Sequence, residues 1–180
     1  MSSKLSPGRP DRPACAAALG LALALLAGGG TALAAGEGFD RAVRGLGREC
    51  VNAPSTACAR SAFRLGDANS DGRADLAELS TLNDRLRVWA RANAESVPPA
   101  DLKALNLGFV LVDSIGLANW IALYDMDGDG ALTFAEATAD LQLDQRPVPE
   151  LVRTRELVDW PGLRQRFGAM SYIFDYLGVK

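Results

Sequence analysis

The chain has 180 residues, of which 48% are hydrophobic and 23% are charged, so it is long and apolar enough to bury a core, and extensive disorder is excluded. Its formal net charge of −3 argues against a nucleic-acid partner. The sequence contains no histidine, which excludes Ser-His-Asp triads, Cys-His pairs and histidine-held zinc. We expect no enzymatic activity, because no recognisable catalytic constellation is formed by Glu49, Glu95, Glu150 and Glu156.

The N-terminus has the composition of a secretory signal peptide. A leader with three basic residues precedes the apolar run "LGLALALLA" and the small-residue segment "TALAA". This order predicts a signal peptide over residues 1–34, cleaved near Ala34 or Ala35. The alternative is an uncleaved anchor, but the apolar centre has nine residues, against roughly 20 needed to span a bilayer. We therefore expect a periplasmic or secreted domain of residues 35–180, with no membrane attachment after cleavage.

The first segment of this domain, "GFDRAVRGLGREC", places Phe39, Val43 and Leu46 on one helical face and predicts a short packing helix. The segment "ECVNAPSTAC" then carries Cys50 and Cys58, separated by a turn. Because exported chains meet oxidising compartments, we predict a disulfide that closes a short loop between two helices. Two free, buried thiols are the alternative.

Two segments of the chain repeat one pattern. "DANSDGRADLAE" (residues 67–78, loop one) and "DMDGDGALTFAE" (residues 125–136, loop two) both read Asp, any residue, Asp or Asn, any residue, Asp or Asn, Gly, five residues, Glu. Ca²⁺ takes six to eight oxygen ligands, which a loop can present from alternate positions if a glycine allows a sharp turn. Without an ion the carboxylates repel one another. Each loop is therefore predicted to bind one calcium ion.

The pattern assigns the ligands individually. In loop one they are Asp67, Asn69, Asp71, the carbonyl of Arg73, Asp75 directly or through water, and bidentate Glu78. In loop two they are Asp125, Asp127, Asp129, the carbonyl of Ala131, Thr133 directly or through water, and bidentate Glu136.

These loops and their flanking segments resemble the EF-hand family of calcium-binding proteins. The resemblance implies an all-α fold built on an EF-hand pair, two helix-loop-helix calcium motifs, with additional packing helices. Family members pair their loops through a small cross-strand bridge at the eighth loop position, a role that Leu132 fits well and Ala74 poorly. Since Arg73 places a positive charge beside the ion of loop one, we expect loop two to bind more tightly. Dockerin modules share the first half of the loop but generally end it in Asp, so Glu78 and Glu136 favour the EF-hand.

The spacing of the loops predicts how the domain is organised. Their starts are 58 residues apart, whereas an exit helix, a turn and an entering helix need about 40. We therefore predict hand one over residues 55–90, an extra helix over 99–112 and hand two over 114–143. Ser55 is the expected N-cap of the first hand, and Asp113 is interpreted as the N-cap of the next helix rather than as a catalytic acid.

Apolar residues at helical spacing flank both loops and predict the buried faces of the helices. On entering loop one they are Ala59, Ala62 and Phe63; on leaving it, Leu76, Leu79, Leu82, Leu86 and Trp89; on entering loop two, Leu117, Trp120, Ile121 and Tyr124. The segment "FAEATADLQL" is expected to form the helix that leaves loop two.

C-terminal helices are predicted over residues 148–178. Their apolar face consists of Leu163, Phe167, Met170, Ile173, Phe174 and Leu177, with Arg164 and Arg166 pointing away from it. The sequence allows two packings of this helix. In one it docks in the protein's own groove, as target helices dock in EF-hand proteins, and in the other it packs on the extra helix as part of the ordinary core.

Two functions fit this sequence. In the first, the protein is a calcium sensor or adaptor whose helix pairs open on metal binding and expose a groove for a protein partner. In the second, the calcium ions are structural or buffering and switch nothing. Three methionines in the whole chain argue mildly against a Met-rich groove. Sequence alone does not separate the two functions.

Overall fold

The structure, a computed structural model, describes residues 35–172 and residue 174; the predicted signal peptide lies outside them. The described chain is mostly helical and carries one two-stranded sheet, which confirms the predicted class. The elements in chain order are α1 (Ala35–Asn52), α2 (Ser55–Gly66), β1 (Arg73–Asp75), α3 (Leu76–Ala92), α4 (Pro99–Ile115), α5 (Leu117–Tyr124), β2 (Ala131–Thr133), α6 (Phe134–Ala137), α7 (Val148–Thr154), α8 (Trp160–Phe167) and a 3₁₀ helix (Gly168–Ser171).

Helix α1 packs as the sequence predicts. Phe39 and Leu46 are buried, and Val43 is partly buried against the same core. A disulfide joins Cys50 near the end of α1 to Cys58 in the first turn of α2, with the two Cα atoms 4.8 Å apart. The predicted disulfide is therefore confirmed, and it holds α1 and α2 together across the turn between them.

Ser55 does not have its predicted role. Pro54 occupies the N-cap position of α2, and Ser55 is the first residue of the helix. The Ser55 side chain is fully buried, and its hydroxyl donates to the carbonyl oxygen of Asp144 at 3.0 Å and accepts the N–H of Asp144 at 2.9 Å. The N-cap prediction is wrong because the hydroxyl serves a distant segment of chain instead of its own helix.

Helix α3 supplies a large part of the core. Leu79, Leu82 and Leu86 are all buried, and Trp89 is partly buried beside them. Leu76 is the first residue of α3 and is 42% exposed, so the buried stripe begins one turn later than the spacing predicts.

The chain bends sharply between α4 and α5. Asp113 lies inside α4 and pairs with Arg87 of α3 at 2.7 Å, so its predicted N-cap role is wrong. The break falls at Gly116, whose φ of 84° is readily available to glycine, and α4 consequently extends past the predicted end at residue 112. In the described part of the chain no single helix is both long and apolar enough to cross a bilayer; α4 and α5 pass that test only as a pair, and the pair is bent by 89°.

The helix that leaves loop two is much shorter than predicted. Helix α6 has one turn, and the chain then runs alongside residues 157–159, where Leu141 forms an isolated bridge with Val158. The N–H of Gln142 donates to the carbonyl of Leu157 at 2.8 Å. These bonds satisfy backbone groups that a continuing helix would otherwise pair internally, so tertiary contacts end the helix.

The C-terminal region is also broken. Helix α8 ends at Phe167, and Gly168 caps it with a φ of 51°. Leu163, Phe167 and Phe174 are buried as predicted, but Met170 is 43% exposed, so the apolar face does not continue through it. Residues 173 and 177 of that face lie outside the described residues. Phe167 packs edge-on against Trp120, with ring centroids 5.2 Å apart, which places α8 against α5.

Candidate metal centre

A short antiparallel sheet brings loop one and loop two side by side. Strand β1 pairs with β2 in a register that sets Ala74 opposite Leu132 and Arg73 opposite Thr133. Ala74 and Leu132 are both fully buried. The pairing expected at the eighth loop position is therefore present, although Ala74 offers only a methyl group to it.

Both loops fold with the same backbone turns. Gly72 and Gly130, at the sixth position of each loop, have φ values of 86° and 85°. At the fourth position, Gly128 has a φ of 76° and its counterpart Ser70 has a φ of 61°. Because a left-handed conformation is costly for residues with a Cβ atom, loop one is the more strained of the two.

Three acidic side chains converge in loop two. Ligand oxygens of Asp125, Asp127 and Glu136 lie within 4.8 Å of one another, and this group could hold a metal ion. The carboxylate of Asp125 is oriented by backbone N–H groups of the loop, including that of Gly130 at 2.9 Å. Because all the donors are carboxylate oxygens, the group fits a hard cation such as Ca²⁺ or Mg²⁺ better than zinc.

Glu136 closes this group from the first turn of α6. Its side chain is buried and accepts hydrogen bonds from the N–H of Met126 at 2.8 Å and from the hydroxyl of Thr133 at 2.7 Å. Burial by itself raises the pKa of Glu136, but the bonds from Thr133 and from the backbone outweigh it and hold the pKa below its usual value. The side chain is therefore ionised at neutral pH, as a metal ligand must be.

The carboxylates of loop one are mostly bonded to their own backbone. Asp67 accepts the N–H groups of Asp71 and Gly72, each at 3.0 Å. Glu78 accepts the N–H of Asn69 at 3.0 Å and that of Asp75 at 3.1 Å. Over the described residues, the close convergence of three acidic side chains occurs in loop two, and the predicted ligands of loop one do not reproduce it.

The ninth and twelfth positions of both loops form capping boxes. Asp75 accepts the N–H of Glu78, whose carboxylate accepts the N–H of Asp75 in return. Thr133 and Glu136 make the same reciprocal pair at the start of α6. Each loop-ending glutamate is therefore held over its loop by the first turn of a helix. Ala131, whose carbonyl is another predicted ligand of loop two, lies buried at the start of β2.

The Arg73 side chain does not remain with its own loop. Its guanidinium forms an ion pair with Asp129 of loop two, and its Nη2 lies 3.9 Å from an oxygen of Asp127. The sequence predicts that this charge lies beside the ion of loop one. The register of the sheet, which local sequence patterns do not encode, instead sets Arg73 directly across from Thr133, and neighbours across a sheet share a face.

A buried polar cluster ties both flanks of loop two to α8. Arg166 donates to the carboxylate of Asp140 at 3.0 Å and to the carbonyl of Leu123 at 3.2 Å, and it lies over the ring of Tyr124. Burial raises the pKa of Tyr124 well above its usual value, and the neighbouring Asp140 raises it further. Arg166 thus faces inward, contrary to the prediction, because Asp140 binds its guanidinium. Helical spacing does not predict this contact, since Asp140 lies 26 residues away in the sequence.

The chain matches no family model, no curated protein and no solved structure. The features that point to a function are the two loops, their pairing and the converging carboxylates of Asp125, Asp127 and Glu136.

Proposed function

We propose that this protein binds calcium through an EF-hand pair formed by loop one and loop two. The observation that carries the proposal is the convergence of Asp125, Asp127 and Glu136 in a loop whose spacing is that of a calcium motif. Oxygen ligands of this kind are those that Ca²⁺ prefers. A bound ion would relieve the repulsion among these carboxylates.

Three further features support a pair rather than a single site. Both loops carry the same sequence pattern, both have left-handed residues at the fourth and sixth positions, and β1 and β2 join them. Loop one is the weaker of the two in this proposal, because Ser70 is strained and the close convergence of three acidic side chains occurs in loop two.

Titration calorimetry tests the proposal directly. The wild-type protein is expected to bind two Ca²⁺ per chain, Glu136→Gln to lose the tighter site and Glu78→Gln to lose the weaker one, since each change removes a bidentate ligand. Glu95→Gln makes the same substitution at an exposed residue outside both loops and serves as the control. Full calcium binding by Glu136→Gln would overturn the proposal. A stoichiometry unchanged by Glu78→Gln would restrict it to loop two.

The packing around loop two favours a structural role for the ion. Helix α6 has a single turn, so it offers little surface that could swing outward. The aromatic face of α5 is covered by Phe167, which contacts both Trp120 and Tyr124. An ion that binds the folded state alone stabilises it by mass action. Calcium should therefore raise the melting temperature.

The sensor or adaptor remains the second candidate, because one surface groove is present. It lies between α3 and α4, has a volume of about 310 Å³ and is lined by residues that include Arg87, Leu102 and Phe109. Binding of a dye specific for exposed apolar surface separates the candidates. Equal fluorescence in calcium and in chelator supports the structural role, and a rise with calcium supports the sensor and its protein partner.

We also propose that the domain is exported. The support is the composition of residues 1–34 and the disulfide between Cys50 and Cys58. Mass spectrometry of protein made with an export pathway should show a chain that starts near Ala35 or Gly36. A mature chain that retains Met1 would point to the anchored alternative.

A further inference from the structure

The register of the sheet gives loop two a charged neighbour that loop one lacks. Arg73 faces Thr133 across the ladder, whereas the equivalent residue of loop two, Ala131, faces Asp75. Because directly opposed residues project on the same face, a long side chain at position 73 extends toward loop two. Ala131 has no charge to offer loop one, so the relationship runs in one direction only.

The guanidinium of Arg73 reaches two predicted metal ligands. It pairs with Asp129, and its Nη2 lies 3.9 Å from an oxygen of Asp127. Asp129 is also the acidic residue of loop two that is missing from the converging group of Asp125, Asp127 and Glu136. A positive charge from loop one thus lies among the carboxylates that would surround a cation in loop two.

We propose that Arg73 is a tethered cation that competes with Ca²⁺ for loop two and thereby sets the affinity of that loop. The inference rests on the proposed function. In the metal-free protein the guanidinium neutralises part of the charge of loop two, and calcium has to displace it before Asp129 can become a ligand. The carbonyl of the same residue is the expected ligand of loop one, so Arg73 acts on both loops.

Solvent limits the size of this effect. The side chain of Arg73 is 44% exposed, and those of Asp127 and Asp129 are 54% and 32% exposed. Coulomb attraction at such a surface is closer to its value in water than to its value in a protein interior. We therefore expect removal of the charge to tighten calcium binding by loop two by roughly five- to tenfold.

The test uses the full mature chain with loop one silenced by Glu78→Gln, so that calorimetry reports loop two. In this background Arg73→Gln should bind calcium roughly five- to tenfold more tightly, and the gain should shrink in high salt because exposed charges are screened. Arg73→Lys keeps the charge and should stay within about threefold of the parent. Arg153→Gln removes an exposed arginine of α7 and should leave the affinity unchanged.

A metal-free measurement tests the ion pair by itself. In chelator, the free energies of unfolding of the parent, of Arg73→Gln, of Asp129→Asn and of the double variant form a double-mutant cycle. A favourable coupling energy between the two residues is expected. If Arg73→Gln leaves the calcium affinity of loop two unchanged or weakens it, the inference is overturned while the proposed function stands. If the parent binds no calcium and Glu136→Gln behaves identically, the proposed function fails, and the inference fails with it.

Discussion

Ser55 and Asp144 are bonded to each other twice, although 89 residues separate them. The buried hydroxyl donates to the carbonyl of Asp144 and accepts its N–H, and the N–H of Ser55 donates to the carbonyl of Arg146 at 2.8 Å. The helix that leads into loop one is therefore fixed to the segment that follows loop two. These bonds join the two halves of the domain in addition to the pairing of β1 with β2.

Replacement of Ser55 by alanine should destabilise the protein by about 1–3 kcal/mol, because two backbone groups of Asp144 lose their partner. Urea unfolding measures this free energy. Ser114→Ala removes an exposed hydroxyl that bonds only within α4 and should change stability by less than about 0.5 kcal/mol. Equal losses in the two variants would show that the link to Asp144 does not stabilise the fold.

Reduction of the disulfide should also lower stability. The bond between Cys50 and Cys58 closes a loop with a sequence separation of 8. Restricting the unfolded chain over such a short loop contributes about 2–3 kcal/mol. For a domain of this size that corresponds to a fall in melting temperature of roughly 5–10 °C. Thermal unfolding with and without reductant measures the difference.

The matched control is the Cys50→Ala, Cys58→Ala double variant, which has no disulfide to reduce. Its melting temperature should be lower than that of the wild-type protein without reductant, and it should not change when reductant is added. A wild-type protein whose melting temperature is the same in reductant would contradict the prediction.

The features that the sequence predicts correctly are those that local patterns encode. Helical spacing identifies the buried positions of α1, such as Phe39 and Leu46, and two nearby cysteines identify the disulfide. The loop pattern places Gly72 and Gly130 where the chain needs left-handed turns. Each of these predictions depends on residues a few positions apart.

The features that the sequence does not reveal depend on partners far along the chain. Arg166 is oriented by Asp140, and the guanidinium of Arg73 by Asp129, which belongs to the other loop. Helical spacing continues through "FAEATADLQL", but α6 ends early because backbone groups pair with residues 157–159. Hydrophobic periodicity records which face of a helix is apolar, and it does not record which polar residue from another element meets that helix.

Arg146 links two carboxylates whose titration makes stability depend on pH. Its guanidinium bonds Asp144 at 2.8 Å and pairs with Glu156, and these bonds lower the pKa of both acids. A lowered folded-state pKa contributes stability above the unfolded values of about 3.9 for Asp and 4.3 for Glu. That contribution is lost as the pH falls through the folded-state values.

Arg146→Gln should therefore have a lower melting temperature than the wild-type protein at pH 6. The difference between the two melting temperatures should become smaller as the pH falls below about 4. Thermal unfolding at a series of pH values measures it. Arg153→Gln, which removes an exposed arginine, should show a small difference that does not vary in this way. A difference for Arg146→Gln that stays constant into acid would exclude these two acids as its source.

Arg166 and Asp140 form a largely buried ion pair. Their side chains are 22% and 7% exposed, and the pair connects α8 with both flanks of loop two. Removal of the arginine alone leaves a buried carboxylate without its counter-ion. Arg166→Met should consequently destabilise the protein by about 3–5 kcal/mol.

The second half of this prediction separates the charge from the packing. Changing Asp140→Leu together with Arg166→Met removes both charges, so the double variant should recover much of the stability lost by Arg166→Met alone. Denaturant unfolding of wild type, the two single variants and the double variant gives the coupling energy. Arg153→Met is the control for introducing methionine at an arginine position, here an exposed one. If the double variant is no more stable than Arg166→Met, the arginine acts through its contact with the ring of Tyr124 and not by neutralising Asp140.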